Sequence, residues 1–92
     1  MWTVNWSTQF RKDLKRYKKG SAARLHKIFA ILKRLEESGT VPAVYRPHCL
    51  QGDWKDFMEC HVENDVLLIW FEEDSRTITA ARLGSHHELF GK

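Results

Sequence analysis

The chain of 92 residues has a formal net charge of +3 and is 42% apolar, which is enough for one compact core. No apolar run approaches the roughly 18 residues of a membrane span, and the N-terminus lacks the basic-then-apolar order of a secretory signal. A soluble, cytoplasmic, single domain over residues 1–92 is therefore expected, and two cysteines, Cys49 and Cys60, are too few for a disulfide framework.

Taken in chain order, Trp2 to Trp6 alternate aromatic or β-branched with polar residues and predict a short strand ending at Ser7. Ser7 is a suitable N-cap for a helix carrying Phe10, Leu14 and Tyr17 on one face. Gly20 stops that helix. Ser21 caps a second helix with an apolar stripe of Leu25, Ile28, Phe29, Leu32 and Leu35, closed by Ser38 and Gly39. Only Lys19 to Ser21 separate the two, so an antiparallel helical hairpin follows.

From Thr40 to Gly52 the periodicity disappears, and Pro42 and Pro47 predict an extended loop. Strands are expected over Trp54–Val62, Val66–Phe71 and Arg76–Leu83, with a turn at Glu72–Ser75 and a last helical turn, capped by Ser85, through Leu89 and Phe90. The fold class is α+β in the order β-α-α-β-β-β plus the short helical turn, an antiparallel sheet packed on an N-terminal helical hairpin. The hairpin covers one sheet face and leaves the other for function. The four Trp and five Phe are read mostly as core.

Charge divides unevenly along the chain. Residues 1–38 have a balance of +7 and the remainder −4. A basic stripe including Lys12, Lys15 and Lys19 suits a phosphate backbone, although a solvated helix face accounts for it equally well.

Among five histidines, His26 falls on the polar side of the second helix, whereas His48, His61, His86 and His87 lie in the C-terminal half, where a meander can bring them together. Imidazoles move protons near neutral pH. RNA carries its own nucleophile, the 2′-hydroxyl, and its cleavage needs one group to take that proton, another to protonate the leaving oxygen and a cation such as Arg82 beside the phosphoryl oxygens; no metal or other cofactor is required. Asp65 would orient an imidazole or bind a base edge. A zinc site from His48, Cys49, Cys60 and His61 is disfavoured because neighbours in extended chain point to opposite faces, and adjacency argues equally against a Cys–His nucleophile.

Val41 to Tyr45, His48, Leu50 to Gly52, Trp54 and Lys55, and His61 to Glu63 together resemble the YafQ-type toxins of the RelE/ParE superfamily. Asp65, Leu68 and Ile69, Arg82, Gly84 to His86 and Leu89 to Gly91 continue the match in the same order. The resemblance implies a RelE-like domain acting as a ribosome-dependent endoribonuclease, an mRNA interferase that cuts message in the ribosomal A site. It further implies a cognate antitoxin that holds the toxin inactive and through which operator DNA is met. It assigns His48, His61, Asp65 and His86 to catalysis, with His86 protonating the leaving group, and puts Phe90 near the scissile nucleotides. His87 has no counterpart, and Val66 replaces an aromatic that can follow the aspartate, which bears on codon preference. Which of His48 and His61 takes the proton stays open. Two other readings are a gyrase-poisoning ParE-like toxin, against which the histidine set argues, and a decayed toxin that only binds its antitoxin as corepressor.

Overall fold

The computed structural model describes residues 1–91. Strand β1 (Thr3–Trp6) leads through the N-cap Ser7, whose side chain accepts from the Phe10 amide, into α1 (Thr8–Tyr17). Helix α2 (Ala22–Ser38) is capped by Ser21 and ended by Gly39 in the left-handed region at φ 72°. A Cβ at Gly39 would lie 2.4 Å from the Trp2 indole, so glycine is demanded both by the backbone and by that ring. The remaining elements are β2 (His48–Cys49), β3 (Met58–Glu63), β4 (Val66–Asp74), β5 (Thr77–Gly84) and α3 (His86–Phe90).

The five strands form one sheet in the order β1-β5-β4-β3-β2. Strands β3 to β5 pair antiparallel as expected and β2 adds antiparallel to β3, while β1 joins β5 in parallel, the helical hairpin leading from β1 at one sheet edge to β2 at the other. β1 pairs with β5 only as far as Ala80. Beyond it α1 closes the strand edge: Ser7 Oγ donates to the Ala81 carbonyl (2.9 Å) and the Leu83 amide donates to Asp13 Oδ2 (3.0 Å).

Phe10, Leu14, Ile28, Ile31, Leu32 and Leu35 of the hairpin pack on Cys60, Val62, Val66, Leu68, Trp70, Ile78, Ala80 and Leu83 of the sheet. Each such side chain contributes roughly 1.5–3 kcal/mol on burial. The opposite sheet face is not bare as expected. Leu67, Ile69 and Leu89 form a second, smaller core there, flanked by Leu50, Trp54, Phe57 and Phe90.

Several expectations need correction. The strand expected from Trp54 begins at Met58, because a 3-10 turn at Gly52–Trp54 swings Trp54 onto the second core. The loop from Thr40 to Gly52 contains a 3-10 turn at Ala43–Tyr45 and the short strand β2. The turn expected at Glu72–Ser75 is shorter: β4 runs to Asp74 and the chain reverses at Ser75 and Arg76, the latter at φ 73°. Of the Trp and Phe residues only Phe10 and Trp70 are buried outright; Phe29 is exposed and the others are half-buried, several against the second core or the helical hairpin.

Candidate active site

Strand register puts the ionisable residues in rows on one sheet face. His48 lies opposite Glu59, Glu59 opposite Ile69, and Ile69 opposite Arg82. In the next row His61 lies opposite Leu67, and Leu67 opposite Gly84, from which Ser85 starts α3 and delivers His86. Side chains directly opposite in an antiparallel pair share a face, so His48, Glu59, His61 and Arg82 emerge on the side away from the helical hairpin. Ring centroids of His48 and His61 are 6.0 Å apart, those of His61 and His86 6.2 Å, and those of His86 and Phe90 6.2 Å.

The first end of this row is anchored by acceptors alone. His48 Nδ1 lies 2.9 Å from the Arg46 carbonyl and Nε2 lies 3.0 Å from Glu59 Oε1. The carbonyl can only accept, so Nδ1 donates to it and Nε2 is left facing the carboxylate. Glu59 is 4% exposed, and its Oε2 and the Nδ1 of His61 are buried with no hydrogen-bond partner among the described residues. An unpartnered buried carboxylate oxygen costs free energy in the resting fold.

At the other end Asp65, on the β3–β4 turn, accepts from both the backbone amide and Nδ1 of His86, each at 3.1 Å. These bonds, the amide's first, hold the Asp65 carboxyl below its usual range, and they leave His86 Nε2 turned to solvent-accessible space. A capping box positions the ring: Ser85 Oγ accepts from the Glu88 amide and Glu88 accepts from the Ser85 amide. Glu88 also accepts from the Tyr17 hydroxyl at 3.0 Å, tying α3 to α1. Burial and that carboxylate push the Tyr17 phenol up to about 12, while the Ser85 amide holds the Glu88 carboxyl down.

Thus His48, His61, Asp65, His86 and Phe90 lie together in one row. Arg82 is half-buried with its Nε donating to Asp13 Oδ2 at 2.9 Å, and its two Nη groups make no hydrogen bond among the described residues. Lys12 and Lys15 are exposed on α1 and Lys19 in the turn after it, without an ion pair among the described residues, and His87 and His26 are exposed outside the row. Cys60 faces the main core, where burial pushes its thiol up to about 12; Cys49, opposite Met58, shares that side.

Two residues escaped the sequence reading. Glu59 was detectable from the period of two in Glu59-Cys60-His61, which puts carboxylate and imidazole on one strand face. Asp13 was detectable as the acid that completes the apolar face Phe10, Leu14, Tyr17 of a basic helix. Glu59 changes the metal question as well. One donor atom each from His48, Glu59 and His61 lies within 4.8 Å of the others, so these three, rather than the cysteines, could close on an ion.

The family described as "Bacterial toxin of type II toxin-antitoxin system, YafQ" matches residues 2–91. The chain belongs to the YafQ family. The mRNA interferase toxin YafQ of Escherichia coli K12 is 37% identical over 93 residues, covering 96% of this chain and 95% of that one. The E. coli DinJ–YafQ complex contains a similar chain at TM-score 0.77 and 33% identity, covering 99% of this chain and 100% of that one. A metal-bound toxin from Helicobacter pylori aligns at TM-score 0.83 and 37% identity over 98% of this chain and 100% of that one. No helix among the described residues is long and apolar enough to cross a membrane.

Proposed function

We propose that this YafQ-family toxin is a ribosome-dependent endoribonuclease that cleaves message in the ribosomal A site, in the cytoplasm, and is silenced by a cognate antitoxin through which it meets operator DNA. The observation that carries the reading is the imidazole row with an acceptor-anchored pair at one end and a solvent-facing imidazole at the other.

The chemistry follows from those two ends. The exposed His48 imidazole, backed by the Glu59 carboxylate, takes the proton of the 2′-hydroxyl, and the 2′-oxygen attacks the adjacent phosphorus. The bond to the 5′-oxygen breaks as His86 Nε2 gives that oxygen a proton, leaving a 2′,3′-cyclic phosphate and a 5′-hydroxyl. His61 and the Nη groups of Arg82 stabilise the charge on the phosphoryl oxygens, and Phe90 stacks on a base next to the cut. Lys12, Lys15 and Lys19 hold ribosomal RNA backbone. Every step uses protein groups, so no metal takes part.

Primer extension on message from a translating extract tests this. Cuts at defined codon positions are expected with the unmodified protein and not with His86→Ala, and uncut message with the unmodified protein would overturn the reading. A gyrase supercoiling assay should show no inhibition. Growth arrest on induction separates an active toxin from a decayed corepressor. The donor set His48, Glu59 and His61 favours one addition: zinc or copper ions would bind by engaging these three side chains and block cleavage, and titration calorimetry should show that binding lost in His61→Gln.

A further inference from the structure

A groove of about 500 Å³ adjoins His61, between the turn at Ala43–Tyr45 and the end of β3. Lys27, Tyr45, Arg46 and Asn64 line it with His61. Its size is within the roughly 300–1,000 Å³ of small-ligand sites. Its charge is biased. Glu63 is the carboxylate in its wall, and it is already engaged by Arg24 Nε at 2.9 Å and Lys27 Nζ at 3.4 Å, the Arg24 bond holding its carboxyl below the usual range. Arg46 has no carboxylate within ion-pair distance among the described residues, so the groove keeps an excess of positive charge.

The backbone of Arg46 couples the groove to the reacting centre. It is held at φ 52°, a left-handed conformation that costs a side-chain-bearing residue roughly 1–2 kcal/mol. Two bonds maintain it: the Arg46 amide donates to the Ala43 carbonyl at 2.9 Å, and the Arg46 carbonyl accepts from His48 Nδ1 at 2.9 Å. The residue that orients His48 therefore also presents a guanidinium to the groove.

We infer that this groove is the subsite for the RNA strand on the 5′ side of the cut, with Arg46 and Lys27 on the first phosphate 5′ of the scissile one, Tyr45 against the sugar or base, and Asn64 at a base edge. The inference rests on the proposed ribonuclease reading and adds the polarity of the strand. The 2′-hydroxyl belongs to the nucleotide 5′ of the cut and is taken at the His48–Glu59 end, whereas the departing 5′-oxygen is met at the His86 end. The strand on the 5′ side consequently leaves past His48, whose Nδ1 is bonded to the carbonyl of Arg46 in the groove wall. A paired, planar donor such as Arg46 suits a phosphate, and Asn64 supplies both a donor and an acceptor to a base.

The test is a cycle between protein and substrate on programmed ribosomes. One message carries a neutral methylphosphonate at the linkage 5′ of the cut, and the protein is unmodified, Arg46→Ala or Lys27→Ala. The methylphosphonate should lower kcat/KM of the unmodified protein about tenfold, chiefly through KM, and Arg46→Ala should do the same on ordinary message. The two changes together should cost little more than either alone. Lys27→Ala, an exposed helical substitution that does not disturb the strained turn, should show a smaller version of the same non-additivity. Full additivity, or wild-type cleavage by both variants, overturns the subsite. Wild-type cleavage by Arg46→Ala with escape from the antitoxin encoded beside it assigns the groove to the protein partner and also overturns it. If the unmodified protein cuts no ribosome-bound message, the ribonuclease reading itself falls and the subsite with it.

Discussion

The two ends of the imidazole row are built on opposite principles. His48 and Glu59 are cross-strand partners on β2 and β3, so the ladder itself sets their spacing, and the carboxylate is withdrawn from water to 4% exposure while the His48 side chain stays 46% exposed, so the two ends differ in their carboxylates rather than their imidazoles. His86 and Asp65 sit on a helix cap and a hairpin turn, 21 positions apart, with side chains 52% and 66% exposed. The end with the buried carboxylate is preorganised by the strand ladder; the other is a hydrogen-bonded pair weakened by solvent. A base that must take a proton from a weakly acidic hydroxyl gains from a buried carboxylate behind it, whereas an acid that must reach a leaving oxygen gains from access.

The largest effect should come from removing the acid. His86→Gln keeps a hydrogen-bonding side chain but cannot donate as an imidazolium does, and a loss of about 10²- to 10⁴-fold in kcat is expected under single-turnover conditions. A loss of less than tenfold would move the acid elsewhere in the row.

Next in size is the buried end. Glu59→Gln and His48→Gln should each lower kcat by about 10²-fold, and the double variant should fall little further, because the two side chains act as one unit across a 3.0 Å contact. Fully additive losses would mean separate roles. Thermal unfolding of Glu59→Gln should show no loss of stability, since the change removes a buried carboxylate with one unpartnered oxygen.

Asp65→Asn should cost less, about tenfold in kcat with KM unchanged, because its pairing with His86 is exposed. The sign of its pH dependence follows from the bonds it accepts. They hold the folded carboxyl below the ordinary value of 3.8, so Asp65 stays charged at any pH above that, and its contribution is lost only as pH falls through the lower folded value. The unmodified protein and Asp65→Asn should therefore give parallel pH–rate profiles above pH 3.8. Profiles that converge on mild acidification would show that Asp65 is titrating in that range.

Much of this could be read in the sequence where local chemistry decides. Ser7, Ser21, Gly39 and Ser85 mark helix ends because a cap is a contact within four residues, and all four act as expected. The segments missed are those whose shape comes from distant contacts. Trp54 reads as strand by type, but its ring belongs against Phe57 and Phe90 at centroid distances of 5.1 and 5.4 Å, and that packing decides the turn. His48 and Cys49 make a strand only because β3 is beside them. In the site, residue type pointed to the histidines, but Glu59 became visible as a partner only once register placed it opposite His48.

The face assignment that underlies the whole comparison can be tested with the two cysteines, where the expected effect on activity is nil. Cys49 and Cys60 are each next to a histidine of the row in sequence, yet strand alternation sends both thiols to the opposite side of the sheet. Cys60 is fully buried and its thiol is pushed up to about 12, so it stays protonated and shielded at ordinary pH; Cys49 lies exposed at the sheet edge, its Sγ 3.2 Å from Met58 Sδ. Iodoacetamide at mildly alkaline pH should add one label to the folded protein, at Cys49 by peptide mapping, and two after denaturation. The singly labelled toxin should cut ribosome-bound message at the rate of the unlabelled one. Inactivation on labelling Cys49 would mean that β2 presents its cysteine toward the substrate, which would turn His48 away from Glu59 and dissolve the buried end of the row.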